Sequence, residues 1–408
     1  MLWQPALPDR YRRMSDRELD QAITARKRQL GPSVVILGHH YQQDEVVRHA
    51  DFTGDSFRLS QLAAKKVAAP GGGAKYVVFC GVHFMAESAD VLTPPEVKVI
   101  LPDLSAGCSM ADMASLEDVV EAWEGIGEVV GNKGIGDEGT KWRVVPITYM
   151  NSTAAIKAFV GEHGGAVCTS SNAHAILEWA FRGGSEPLRE GERVKILFLP
   201  DQHLGRNTAA SMGYDVTTRM TLWDPRNVEG LGGNEPDDLL RSDVILWKGH
   251  CSVHKLFRPE HVDQIRAQLP GVTVIVHPEC EHAVVQKADM TGSTEGIIQA
   301  IEEASAGSSW AVGTEVHLVN RLAKQAANRG VFVRILSECQ CLCTTMYRID
   351  PQHLLWVLDE LAPPEGKVVN QITVPPEVRK WALVSLNRML EITAKAKPMA
   401  AHSATPVD

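Results

Sequence analysis

Nine short apolar runs separated by helical patterns constrain the fold of this chain more than any other feature. They read SVVILGHHY, KYVVFCGVHF, KVILPDLSAGC, RVVPITYMN, KILFLPDQH, DVILWKGHC, VTVIVHPEC, WAVGTEVHL and VFVRILSEC. Most are rich in Val and Ile without strict polar alternation, the pattern of strands covered on both faces. Such strands alternating with helices build parallel α/β sheets. The runs also recur as a set of three. The first strand of each set ends in a polar pair: His39 and Tyr41, Tyr149 and Asn151, His277 and Glu279. A second polar signal follows: GDS with Ser56, TSS with Ser170, GST with Thr294. The separation is 17 residues from His39 to Ser56, 17 from His277 to Thr294 and 21 from Tyr149 to Ser170. Each third strand leads to a cysteine, Cys108, Cys251 or Cys343, which lie 69, 102 and 66 residues after the first polar residue of their set. The chain therefore reads as three copies of one α/β unit.

This repeat sets the expected organisation. Residues 1–120 hold an N-terminal helix and the first copy; Ser15 and Glu18 form a capping-box pattern at the start of that helix. The acidic, Gly-rich stretch 121–142 reads as a surface insertion. Residues 143–260 hold the second copy, lengthened near 204–240, and 261–350 the third. Residues 351–408 are expected to form C-terminal helices that pack back on the body, one starting at Pro375-Pro376-Glu377, and a mobile tail from about Lys395.

Composition narrows the class of partner. The 408 residues carry 41 basic and 50 acidic side chains, a net charge of −9, with no basic run, which argues against nucleic acid or an anionic membrane. No stretch approaches the ~18 apolar residues of a membrane span. The start of the chain lacks the apolar segment of a signal peptide, so the expected location is the cytoplasm, where thiols stay reduced. The eight cysteines then read as metal ligands, redox groups or core residues rather than a disulfide framework.

Three thiols at three equivalent strand ends suggest ligands meeting at one point. Thiolates select soft metals, and a set of three leaves a tetrahedral site or a cubane one ligand short. Ligands of open parallel sheets bind outside the carboxyl ends of the strands, where the polar pairs also lie. Ser56, Ser170 and Thr294 sit in turns of strand–helix type, which present backbone N–H groups to anions. A phosphate loop of the GxxxxGK[ST] type is absent.

The motifs GHHYQQDE, GDS, AGCSMAD, YMNSTA, CTSSNA, LPDQHLG, WKGHCSVH, HPEC, GST, GTEVHLVNRL and the terminal CxCTTM together resemble the quinolinate synthase family, from about residue 33 to 393. The resemblance implies three similar α/β/α, Rossmann-like domains with parallel sheets in a pseudo-three-fold arrangement around a central active site. It implies an enzyme of NAD biosynthesis that condenses iminoaspartate with dihydroxyacetone phosphate, eliminating phosphate and two waters to give quinolinate. A 4Fe-4S cluster with three cysteine ligands and one open iron would act as Lewis acid for dehydration. Cys108 and Cys251 match the ligand motifs. The third ligand comes from Cys339, Cys341 or Cys343, and the resemblance points to Cys343. Cys80 and Cys168 read as core residues, and Cys280 as packing or support. His39, Tyr149, Asn151 and His277 are expected to bind substrate carboxylates and carbonyls. Ser56, Ser170 and Thr294 would supply further donors, and Met150 and Pro278 backbone and shape. Tyr41 and Glu279 are the acid–base candidates, with burial expected to raise the pKa of Glu279. His250 and His254 flank Cys251, where they could tune the cluster. A functional link to an iminoaspartate-producing enzyme follows, as does a monomer or homodimer. The competing readings are another 4Fe-4S-dependent hydro-lyase and a non-catalytic iron–sulfur redox sensor; the dense polar lining disfavours the sensor.

Overall fold

All nine apolar runs form strands, and they assemble into three five-stranded, mostly parallel sheets. The computed structural model describes residues 4–56, 58–59, 61–62, 73–132, 141–338, 341–364, 366–396 and 402–403. In the first sheet the strands lie in the order Phe52–Gly54, Val34–His39, Tyr76–Cys80, Lys98–Ile100, with Gln371–Ile372 antiparallel at the far edge. In the second the order is Ala166–Cys168, Lys141–Tyr149, Glu192–Leu199, Val244–Trp247, Met220–Trp223, all parallel. In the third it is Met290–Thr291, Thr273–Val276, Ser309–Gly313, Phe332–Ile335, with His402–Ser403 antiparallel beside Met290–Thr291.

Each sheet thus shares one core order: second strand, first, third, fourth. The order reverses beside the first strand, and doubly wound sheets bind ligands at the carboxyl ends of the strands that flank such a reversal, here the first and third. The second strand of each copy, only two or three residues long, was not anticipated from sequence. Its carboxyl end leads into GDS, TSS or GST. The lengthening of the second copy supplies an extra edge strand, Met220–Trp223, and a short helix, Pro236–Arg241.

The chain divides into two compact units. One comprises Met1–Cys108, Glu315–Arg321 and Gln340–Pro375 and holds the first sheet; the other comprises Ser109–Thr314, Leu322–Cys339 and Pro376–Asp408 and holds the second and third. In the first unit Ser15 accepts from the Glu18 N–H while the Glu18 carboxylate accepts from the Ser15 N–H, closing the capping box of helix Asp16–Leu30. In the second unit the expected insertion at 121–142 is corrected: through residue 132 it continues helix Leu116–Asn132, whose Val119, Ala122, Ile126 and Val130 enter a core with Trp223, Leu239 and Trp247. Its apolar positions recur at helical spacing, which outweighs the Gly and acidic content; residues 133–140 lie outside the described residues.

Helix Pro376–Lys395 packs back on helix Ala154–Glu162, as its apolar face predicted, burying Ala382, Leu386 and Met389. Gly161 makes the close approach possible: a Cβ there would lie 2.1 Å from the Trp381 carbonyl oxygen. Arg388 Nη1 donates to the Gly161 and Gly165 carbonyls at 2.9 and 2.8 Å, closing the end of that partner helix. The tail expected to be mobile includes His402–Ser403, which pair as a strand. No helix among the described residues is long and apolar enough to cross a membrane.

Candidate active site

In two of the three copies the polar pair forms one repeated local structure. The Tyr41 N–H donates to His39 Nδ1 at 3.1 Å, and the Glu279 N–H donates to His277 Nδ1 at 3.3 Å. Each ring nitrogen is thereby fixed as an acceptor, so the neutral imidazole carries its proton on Nε2 and offers it as a donor. Burial, then His254, push His277 down to about 3 against the opposing charge of Glu279, which keeps the ring neutral. The His39 ring also meets the Tyr41 ring edge-on, with centroids 4.8 Å apart. In the second copy, Tyr149 and Met150 are buried and the Met150 N–H donates to the Cys168 carbonyl at 2.7 Å. Asn151 Oδ1 is buried and has no hydrogen-bond partner among the described residues. A buried acceptor of this kind is costly unless a ligand satisfies it.

Glu279 is the centre of the polar cluster in the second unit. His254 Nδ1 donates to its Oε2 at 2.8 Å, and His254 Nε2 lies 3.1 Å from Thr314 Oγ1. The His254 ring stacks on His277 at 4.4 Å, and Tyr149 also hydrogen-bonds the carboxylate. The expected rise in the Glu279 pKa is corrected. Burial does work to raise it, but His254 and His277 beside it, with the hydrogen bonds from His254 and Tyr149, hold it down to about 2.

A second buried carboxyl lies close by. Asp201 follows strand Glu192–Leu199, and its Oδ1 caps helix Gln202–Ser211 by accepting from the His203 and Leu204 N–H groups at 2.7 and 2.8 Å. Its Oδ2 has no partner among the described residues. Burial and the charge of Glu279 push Asp201 well above the usual carboxylate range, against backbone N–H groups that include that of Cys251. Two neighbouring carboxyls are thus driven in opposite directions, Glu279 toward the ionised form and Asp201 toward the protonated one. His203 is pushed down to about 4, chiefly by burial and then Arg206, and its Nδ1 is another buried atom without a described partner.

The sequence did not single out Asp201 or Thr314, and it read His254 only as a companion of Cys251. The Asp201 signal was present as an Asp one residue before a helix; the His254 and Thr314 contacts arise from folding alone. The three hydroxyl positions also differ. Asp55 accepts from the Arg58 N–H and Ser293 from the Gly296 N–H, so the residues before Ser56 and Thr294 do the capping. Ser170 lies in a turn closed by the Thr169 N–H donating to Asn172 Oδ1, and its helix starts later, at Ala173. Among the substrate-binding candidates, the fold brings Tyr149 and His277 to Glu279; Pro278, between the latter two, accepts through its carbonyl from Asn207 Nδ2 at 2.8 Å. His39, Tyr41 and Ser56 belong to the first unit.

The cysteines separate by exposure. Cys108, Cys251 and Cys343 are half-buried, whereas Cys80, Cys168, Cys280 and Cys341 are fully buried; all seven are free thiols. Burial pushes Cys80 up to about 12 and Cys168 well above its ordinary value, the state of inert core thiols. Cys339 lies outside the described residues. Cys341 and Cys343, two residues apart, thus differ in exposure. Cys343 is itself raised by burial, and its sulfur lies 3.6 Å from Thr345 Oγ1. The turn bearing Cys251 is tightly placed: a Cβ on Gly249 would lie 2.1 Å from the Pro200 carbonyl oxygen. Ligand atoms of Cys251, His254 and Glu279 also fall within 4.8 Å of one another. Both nitrogens of His254 are already engaged, which leaves Cys251 as the donor there best able to take a metal.

The family model described as Quinolinate synthetase A protein matches residues 21–391. The chain belongs to the quinolinate synthase family. A quinolinate synthase of Acidobacterium capsulatum is 57% identical over 385 residues, covering 94% of this chain and 95% of the relative. That of a Nocardioides species is 53% identical over 94% of this chain and 91% of its own length. That of Rhodopirellula baltica is 48% identical over 94% and 93%. The chain is therefore an enzyme of a family that carries out a step of NAD biosynthesis, and the resemblance seen in its motifs extends over nearly its whole length.

Proposed function

We propose that the chain is a quinolinate synthase that condenses iminoaspartate with dihydroxyacetone phosphate, releasing phosphate and water, with a 4Fe-4S cluster held by Cys108, Cys251 and Cys343. The observation that carries this reading is the buried set Tyr149, His277, Glu279 and His254 in a chain matching the family over residues 21–391. When bound, a cubane with three thiolate ligands supplies one open iron as Lewis acid for loss of hydroxyl.

The side chains would do the rest. His277 and His39 donate from Nε2 to substrate carboxylates or carbonyls, and the Tyr149 hydroxyl adds a donor beside Glu279. Asn151 satisfies its buried Oδ1 with a substrate N–H. Glu279, kept ionised, accepts a proton during imine formation and isomerisation, and His254 holds the carboxylate in place. Asp201 is poised as the complementary proton donor. Tyr41 polarises the sugar-phosphate carbonyl, and Ser56, Ser170 and Thr294 bind the anionic groups. Met150 and Pro278 shape the contact through their backbone.

Free thiols throughout the described cysteines support a reducing compartment, and we place the protein in the cytoplasm. Iminoaspartate is a reactive imine, so an oxidising enzyme must supply it close by; the chain itself would work as a monomer or homodimer. An anaerobic assay of cluster-loaded protein with both substrates tests the reading. Quinolinate is expected, and its absence from protein with full iron and sulfide content sinks the assignment.

A further inference from the structure

The turn after the first strand of every copy is held by one side chain donating to the same two carbonyls. In the first copy Arg321 Nη1 donates to the His40 carbonyl at 3.0 Å and Nη2 to the Gln42 carbonyl at 2.7 Å, while Nε donates to Asp44 Oδ1 at 2.9 Å. In the second, Lys157 Nζ donates to the Met150 carbonyl at 2.8 Å and also to that of Ser152. In the third, Asn207 Nδ2 donates to the Pro278 and Cys280 carbonyls, both at 2.8 Å. Counted from His39, Tyr149 and His277, the carbonyls belong in every case to the first and third following residues. The residue they bracket is Tyr41, Asn151 or Glu279, the second member of each polar pair.

Chemistry explains the choice of clamp. Two carbonyl oxygens facing one point repel unless a group with several donors sits between them. Arginine, lysine and the amide of asparagine all qualify, and none offers a competing acceptor at that point. The Asn207 amide is oriented for this task, since its Oδ1 accepts from His282 Nδ1 at 2.8 Å. Lys157 is wholly buried, an expensive place for an ammonium unless carbonyls receive it. Asn207 and Arg321 also share a position: each lies six residues after a buried acid, Asp201 or Glu315, that caps its helix by accepting two N–H groups. The clamp is therefore a recurrent part of the repeat.

We infer that Arg321, Lys157 and Asn207 are positioning residues for the reaction, each locking one strand-end turn so that the bracketed side chain and its histidine or tyrosine partner face the substrate. The inference rests on the functional reading above. Two variants test it in the full, cluster-loaded chain. Arg321→Met keeps the length but removes every donor, and Asn207→Asp places an acceptor against two carbonyls. Each is expected to lower kcat about 10²-fold, as misplacement by ~1 Å does, with KM changed less than threefold and iron content unchanged. Imidazole 15N shifts should show the loss of the Nδ1-acceptor signature at His277 alone in Asn207→Asp and at His39 alone in Arg321→Met. If Asn207→Asp does not fold, Asn207→Ala, which removes the donor without adding charge, takes its place. The clamp is overturned if kcat per folded, loaded molecule stays within twofold of the unaltered chain, or if both histidines keep their shifts. An unaltered chain that makes no quinolinate overturns the functional reading instead, and the shifts still decide the clamp.

Discussion

At His277, burial and a backbone donor act in the same direction. The Glu279 N–H occupies Nδ1, and the buried ring is held neutral, down to about 3 from an ordinary 6.5. Because the folded value is lowered, the unfolded chain binds a proton between 6.5 and 3 that the folded chain refuses. The contribution of His277 to stability is thus complete above 6.5 and is lost as the pH falls toward 3. Glu279, also lowered, adds its own loss only below its ordinary 4.5, whereas His203, pushed down to about 4, titrates in the same window, so the His277 share is read from the difference its substitution makes. Denaturant midpoints measured across that window should fall less steeply in His277→Gln than in the unaltered chain. A substitution at Glu279 probes chemistry instead. Glu279→Gln keeps an oxygen to accept from His254 and removes the charge that takes up a proton. A fall in kcat of about 10²–10⁴-fold is expected, the usual contribution of a general base, with the fold retained by circular dichroism. Both residues were legible in the sequence as a polar pair after an apolar run. The lowered pKa of Glu279 was not, because it depends on His254 and Tyr149, which are 25 and 130 residues away in sequence.

Element by element, the long signals were read and the short ones missed. Strands such as Lys141–Tyr149 and Glu192–Leu199 carry enough Val, Ile and Leu to announce themselves. Ala166–Cys168 and Met290–Thr291 offer two or three residues and no period, and they exist because a neighbouring strand pairs with them. Helix Leu116–Asn132 was mistaken for an insertion because its glycines and acids hid four apolar positions at helical spacing. Helix Pro376–Lys395 was legible from its proline start and apolar face, but its closeness to helix Ala154–Glu162 was not, since that depends on the absence of a side chain at Gly161. Gly161→Ala sets a methyl group 2.1 Å from the Trp381 carbonyl, backbone against backbone, where no rotamer can yield. A loss of about 1–3 kcal/mol is expected for such overpacking, read as a lowered thermal midpoint. Iron content should stay unchanged, because Cys108, Cys251 and Cys343 lie on other elements.

At the scale of the whole molecule, one strand order used three times explains why cysteines so far apart in sequence are comparable at all. Each of Cys108, Cys251 and Cys343 follows the fourth strand of a sheet: Lys98–Ile100, Val244–Trp247 or Phe332–Ile335. A thiol ligates as its thiolate, and exposure separates the described cysteines into two groups. The proposed ligands are half-buried, while Cys341, only two residues from Cys343, is fully buried. Sequence spacing could not separate those two, since both lie in the same short C-x-C segment. Single Ser substitutions separate them directly, because a hydroxyl is a far weaker ligand for iron than a thiolate. Cys108→Ser, Cys251→Ser and Cys343→Ser should each lose the brown absorbance and most of the iron and sulfide after anaerobic reconstitution. Cys341→Ser should keep all three, at a cost seen only in stability. Retention of a full cluster by Cys343→Ser together with its loss in Cys341→Ser would transfer the third ligand to the buried thiol, and with it the claim that exposure selects the ligands.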